Sequence, residues 1–193
     1  NILLWWTSFR DIRKLWLETS GIGRTVLLLV TSILILQYLE ALAPPFHFDA
    51  LTYHLSIPKA YIQLGHISYL SDSIFWGMPQ NMEMLNTLVM YLGGVEAAPV
   101  LGWWIGLFAL IGITDFMKSS FGKEAAWISA ASLVAGSGLT TSISSGYVEW
   151  MSILYGVAII ICLAYWQFQK TKSALFLAGI FAGIALGTNY TNG

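Results

Sequence analysis

An all-α, polytopic membrane protein is the fold class that the sequence predicts, on three observations. Of the 193 residues, 56% are hydrophobic and only 10% are charged, whereas a soluble chain carries about 25% charged residues to coat its surface. Mean hydropathy is +0.68. The apolar residues gather in five stretches bounded by basic, proline or turn residues, each near the roughly 20 residues a helix needs to cross a hydrocarbon core of about 30 Å.

Taken in order, residues 1–20 carry Ile2, Trp5, Trp6, Phe9, Ile12 and Trp16 at three- and four-residue spacing, with Ser8, Asp11 and Lys14 away from them. A Trp-rich amphipathic stretch with Arg and Lys reads as an interfacial helix lying along the lipid headgroups. Asn1 is not an initiator Met and the basic residues follow the apolar ones, so these residues are no signal peptide and the natural start is expected upstream. The spans are expected at residues 25–43, 99–116, 125–143, 148–168 and 174–191. Pro44 and Pro45 stop the first, since proline cannot continue a helix. Pro99 suits the first turn of the second. Lys118 and Lys123 mark the next loop, and Gln169 to Lys172 the last; such short loops make neighbouring helices antiparallel.

Basic residues in short loops stay on the cytoplasmic side. With the N-terminus inside, eight of the nine Lys and Arg are cytoplasmic and only Lys59 is external. The expected setting is therefore a bacterial inner or plasma membrane, N-terminus cytoplasmic, with the ionisable chemistry of residues 44–98 and Glu149 on the external side. In that loop, Asp49 to Leu64 suits a short helix kinked at Pro58 and ended at Gly65. Pro79 to Gly93 suits a second, with Met82, Leu85, Leu88, Val89 and Leu92 as one apolar stripe. Ser71 to Met78, rich in turn residues, joins them, and both are expected to lie at the outer interface as juxtamembrane helices.

Several function classes fall away. A net charge of −1 leaves no basic face for nucleic acid. The lone Cys162 excludes a disulfide framework within the chain and a Cys-based zinc site. His47, His54 and His66 lack the spacing of a structural zinc site; a single His can ligate a chlorin or haem, but an interfacial His is more often simply hydrogen-bonded. Glu40 and Asp115 lie near span ends, whereas an ion path needs ionisable groups near mid-span.

Asp49 and Glu149 stand out by position, at the external ends of the first and fourth spans. A carboxylate beside a membrane is costly unless it faces a wet cavity or a partner. The alternative is a structural role, Asp49 capping the helix that follows and Glu149 complementing the dipole of its own first turn.

The residues Phe48-Asp49-Ala50-Leu51-Thr52-Tyr53-His54-Leu55, then Ile57-Pro58-Lys59-Ala60-Tyr61 and Gly65-His66-Ile67, resemble the first external loop of the GT-C superfamily of polytopic glycosyltransferases. These use polyprenyl-phosphate sugars and include the mannosyltransferase-like and aminoarabinose-transferase-like families. Ser145-Gly146-Tyr147-Val148-Glu149 and Gly183 to Thr191 are similar to further family segments, although members often carry Lys where this chain has Asn189. The resemblance covers the N-terminal part of such an enzyme. It implies sugar transfer from a polyprenyl-phosphate donor on the outer side, with Asp49 and Glu149 as catalytic carboxylates; Tyr53 and His54 in the matched run are candidate substrate-binding residues, and so is Lys59 by position, as the only external cation, able to meet a lipid phosphate or equally to snorkel to the headgroups. A divalent cation, if one takes part, would sit between Asp49 and Glu149 through oxygen ligands.

The alternative is a shortened, non-catalytic relative kept as an accessory or structural subunit of a larger membrane complex, because five spans are fewer than such enzymes carry. Gly179, Gly183 and Gly187, four residues apart, form the best face for close helix contact. Packing within the chain is the preferred reading of that face. Membrane lipids are partners in either case.

Overall fold

The computed structural model describes residues 19–189. The interfacial helix expected over residues 1–20 lies, apart from Thr19 and Ser20, outside the described residues.

Every regular element among the described residues is helical. Helix α1, Gly21–Ala41, starts where the Ser20 hydroxyl accepts a hydrogen bond from the Gly23 amide at 3.2 Å, satisfying one of the free donors of the first turn. It stops just before Pro44 and Pro45. A single π-helical turn, Ala50–His54, leads into α2, Ser56–Leu64. The break expected at Pro58 falls earlier, at Leu55, and Pro58 sits in the first turn of α2, where its missing amide hydrogen costs nothing. Gly65, at φ 72°, ends α2 in the left-handed region that glycine adopts without strain.

Helix α3 spans Asn81–Gly93 and α4 Ala97–Phe121. Residues 125–143 do not form the single span expected: Gly136, at φ −81° and ψ 120°, interrupts them into α5, Lys123–Ala135, and α6, Ser137–Ser142. The run Gly136-Ser137-Gly138 has poor helix propensity, and the 13 residues of α5 reach only about 20 Å. Helix α7 is Glu149–Gln169 and α8 is Lys172–Leu186. At 15 residues, α8 is also shorter than a bilayer needs, about 22 Å. Three helices among the described residues, α1, α4 and α7, are thus long and apolar enough to cross a membrane, where the sequence predicts five.

Helix α4 is central, packed on α1, α3, α5 and α7, with α8 lying against α7. Cross-ties come from indole N–H groups. Trp103 Nε1 donates to the Leu34 carbonyl of α1 at 2.9 Å, and Trp150 Nε1 to the Leu139 carbonyl of α6 at 2.8 Å. Ile105, Ala109, Leu110, Ile143 and Trp150 share the main core, and a side chain at Gly106 would run into Ile143, so the close packing of α4 on the 143–150 segment requires glycine there. Of the three-glycine face on α8, Gly179 and Gly183 have open space where a Cβ would stand, and Gly187 abuts the Asn81 side chain.

Candidate functional site

The chemistry-bearing side chains gather where the π-helical turn, α3, the turn before α7 and residues 187–189 meet. Asp49, Tyr53 and His54 come from the π-helical turn and its first flank. Its wide winding leaves Asp49 exposed and turns His54 inward, to 3% exposure. Gly146, at φ 73°, supplies the sharp reversal ahead of α7. Its carbonyl accepts from Asn86 Nδ2 at 3.3 Å, and a Cβ there would lie 3.3 Å from Leu55 Cδ2. That reversal carries Tyr147 and Glu149 to the same end as the π-helical turn.

Of the apolar stripe expected on helix α3, Met82 is buried and Val89 half-buried against the core. Leu85, Leu88 and Leu92 of the expected stripe are exposed, while Met82, Glu83, Asn86 and Met90 are buried. The buried positions fall at helical spacing on one face, so the polar residues of α3 line the inside of the bundle end and its leucines face outward. Glu83 reaches His54: His54 Nδ1 and Glu83 Oε1 are 2.7 Å apart, within the range of a charge-assisted hydrogen bond. The second carboxylate oxygen, Oε2, is buried without a hydrogen-bond partner among the described residues.

Around this pair stand aromatic rings. Tyr53 lies 3.9 Å, centroid to centroid, from His54 and stacks on Phe75 at 4.4 Å and 21°. Tyr147 is 5.3 Å from His54 and 6.2 Å from His47. Burial first, then the negative fields of Asp49, Glu149 and Glu83, push the Tyr53 phenol up from 10.0 to about 12. Both effects disfavour the phenolate, so Tyr53 stays a neutral hydrogen-bond donor. Tyr147 is also raised, by burial and then by Asp49, against hydrogen bonds from the Asp49 and Ala50 backbone amides that favour its ionised form. Asp49 and Glu149 both act on both phenols. The structure therefore brings Asp49, Tyr53, His54 and Glu149 to one place.

Lys59 is exposed on α2 and does not join them. Asp49 makes no capping hydrogen bond through its side chain; Glu149 is the first residue of α7, in the position that favours a negative charge. The other histidines disperse: His47 Nε2 pairs with Glu40 at 2.9 Å, and His66 Nδ1 lies 3.0 Å from the Leu64 carbonyl oxygen. No three of His, Cys, Asp and Glu among the described residues converge into a metal-holding group. A cation between Asp49 and Glu149 would therefore draw its remaining oxygen ligands from water or substrate.

A pocket of about 160 Å³ opens beside the His54–Glu83 pair, walled by Tyr53, Val148, Thr188 and Asn189. The 187–189 segment is held there by α3: the Asn81 amide donates to the Gly187 carbonyl at 2.9 Å and Asn81 Nδ2 to the Ile184 carbonyl at 3.0 Å. Sequence reasoning missed Glu83, Asn86 and Thr188. The signal for the first two was two polar residues three apart on one face of an otherwise apolar helix; Thr188 had none beyond its neighbour Asn189. No family model, curated protein or solved structure matches the chain.

Proposed function

We propose that the chain transfers a sugar from a polyprenyl-phosphate donor to an acceptor hydroxyl, at the external end of a membrane-embedded helical bundle. The observation that carries this reading is the convergence of Asp49 and Glu149 on the same two phenols, beside the buried His54–Glu83 pair. Apolar helix faces below it, including exposed Leu28, Leu29, Leu36 and Leu39 of α1, suit a lipid-linked donor, and the loop residues from Phe48 to Ile67 resemble those of GT-C enzymes.

In this mechanism the acceptor oxygen attacks the anomeric carbon while its proton passes to a carboxylate of Asp49. The bond from that carbon to the donor phosphate breaks with its electron pair, and the lipid phosphate departs with inversion. Positioned general-base catalysis of this kind contributes about 10²- to 10⁴-fold. Glu149 orients the acceptor. The test is transfer from a radiolabelled polyprenyl-phosphate sugar by the chain in proteoliposomes. Asp49→Asn should abolish transfer with membrane insertion intact, and unchanged turnover would overturn the assignment.

A second reading, a non-catalytic subunit of a larger membrane complex, draws on the open face at Gly179 and Gly183, where another helix could approach closely. A stoichiometric partner that copurifies with the wild type and is lost from Gly183→Leu, with no transfer activity in either, would favour it.

A further inference from the structure

We propose that the groove between α1, α4 and α5, at the end of the bundle opposite Asp49 and Glu149, binds one anionic phospholipid, with an acyl chain between the helices and the phosphodiester at Lys118 and Lys123. The proposal goes beyond the sugar-transfer reading and rests only on the bundle spanning a bilayer.

The groove follows from residue size. Helices α1 and α5 approach closely at Gly23, where an added Cβ would run into the Trp127 ring, and α4 packs on both. Beside that contact α5 offers only Ala126 and Ala130 against Val30 and Leu34 of α1 and Leu107 and Leu110 of α4. A space of about 390 Å³ is left among them, within the roughly 300–1,000 Å³ of ligand-binding cavities. The Thr114 hydroxyl in the same wall donates to the Leu110 carbonyl of its own helix at 2.6 Å and is already satisfied. Such walls take hydrocarbon rather than water.

Its depth suits one leaflet. From Lys118 to Leu107 the lining runs eleven residues along α4, about 16 Å at 1.5 Å per residue, and half of a hydrocarbon core about 30 Å thick is about 15 Å. The apolar part therefore ends near the bilayer midplane, while Lys118 and Lys123 stand where phospholipid headgroups lie.

Charge selects the occupant. Lys118 and Lys123 are exposed, and neither pairs with a carboxylate among the described residues. Asp115 is the one acidic residue among the described residues of the lining, and Glu124 lies outside it, so the mouth carries one net positive charge, which one phosphodiester monoanion balances. Basic pockets between spanning helices recognise anionic headgroups in this way. A polyprenyl-phosphate sugar is a poor occupant, because its phosphate belongs at the Asp49 end, and the 25 residues of α4 put that end about 37 Å away.

The test is native mass spectrometry of the purified chain, delipidated in detergent and titrated with dioleoyl phosphatidylglycerol or with zwitterionic dioleoyl phosphatidylcholine. The wild type should take up one phosphatidylglycerol about fivefold or more tightly than phosphatidylcholine, the gain of one to two headgroup contacts with lysine. Lys118→Gln combined with Lys123→Gln should bring the two lipids level. Lys172→Gln, at the same end but outside the groove, should leave the preference unchanged, and Ala130→Phe, which fills the groove, should weaken both lipids. The double lysine variant changes only exposed side chains, so it decides the matter if Ala130→Phe fails to fold. The proposal is overturned if the wild type shows no preference, if the double variant keeps it, or if folded Ala130→Phe binds both lipids as the wild type does. Two further outcomes overturn it by naming another occupant: lipid uptake only after proteolysis has removed residues 1–18, which would seat that segment in the groove, or a lipid-free dimer that Ala130→Phe dissociates, which would seat a second copy there. Lipid binding is read without a sugar donor, so a lack of transfer leaves this proposal standing, and its failure leaves the enzyme reading standing.

Discussion

His54 and Glu83, 29 residues apart in the chain, meet through a 2.7 Å hydrogen bond in which both side chains are buried. This contact locks the π-helical turn onto α3 and so sets where Tyr53 and Asp49 stand. Removing one member strands the other. His54→Ala should lower stability by about 1–3 kcal/mol, the cost of an unsatisfied buried polar group. Chemical unfolding of the two single variants and the double variant should give a coupling energy well above zero; additive losses would mean that the two groups do not support each other.

Tyr53 provides a spectroscopic handle. Its folded pKa, about 12, lies above the ordinary 10.0, so the unfolded chain releases this proton first as pH rises. The stability linked to Tyr53 is therefore fully present below pH 10 and is lost as pH climbs toward 12. Absorbance titration should show a phenol ionising late in the wild type and absent from Tyr53→Phe. Asp49→Asn and Glu149→Gln should each lower that pKa without returning it to 10.0, since burial is the larger cause. An unmoved titration in both would place the carboxylates away from the phenol.

Gly146 offers a purely conformational test. Its φ of 73° is a region where an L side chain costs roughly 1–2 kcal/mol, and an added Cβ would crowd Leu55. Gly146→Ala should destabilise by at least that amount in urea unfolding and displace Tyr147 and Glu149, reducing transfer as well. Gly138→Ala, where a Cβ meets open space, should do neither.

Glu149 separates chemistry from helix electrostatics. As the first residue of α7 it contributes up to about 1 kcal/mol through the helix dipole. A loss of transfer much larger than the tenfold that 1.4 kcal/mol represents, with unfolding shifted by no more than the dipole contribution, would assign it to acceptor orientation. Parallel, small losses in both measurements would leave only the dipole role.

Composition and residue order determined that the chain is helical and apolar, where α1, α4 and α7 lie, that Gly65 ends α2, and that Asp49 and Glu149 share one end. These follow from local physics: hydrophobic run length, proline and glycine stops, and charge at span ends. Two expected spans failed for a local reason as well, since Gly136 and Gly138 weaken one helix and α8 is short. What only the tertiary structure decided is what the inward face of α3 meets. Leu85, Leu88 and Leu92 of its apolar stripe face outward, as an interfacial helix allows, while Met82, Glu83, Asn86 and Met90 turn inward, where Glu83 and Asn86 find His54 and the Gly146 carbonyl. The spacing of Glu83 and Asn86 marks that face, but their partners lie 29 and 60 residues away in the chain, and local spacing does not name them.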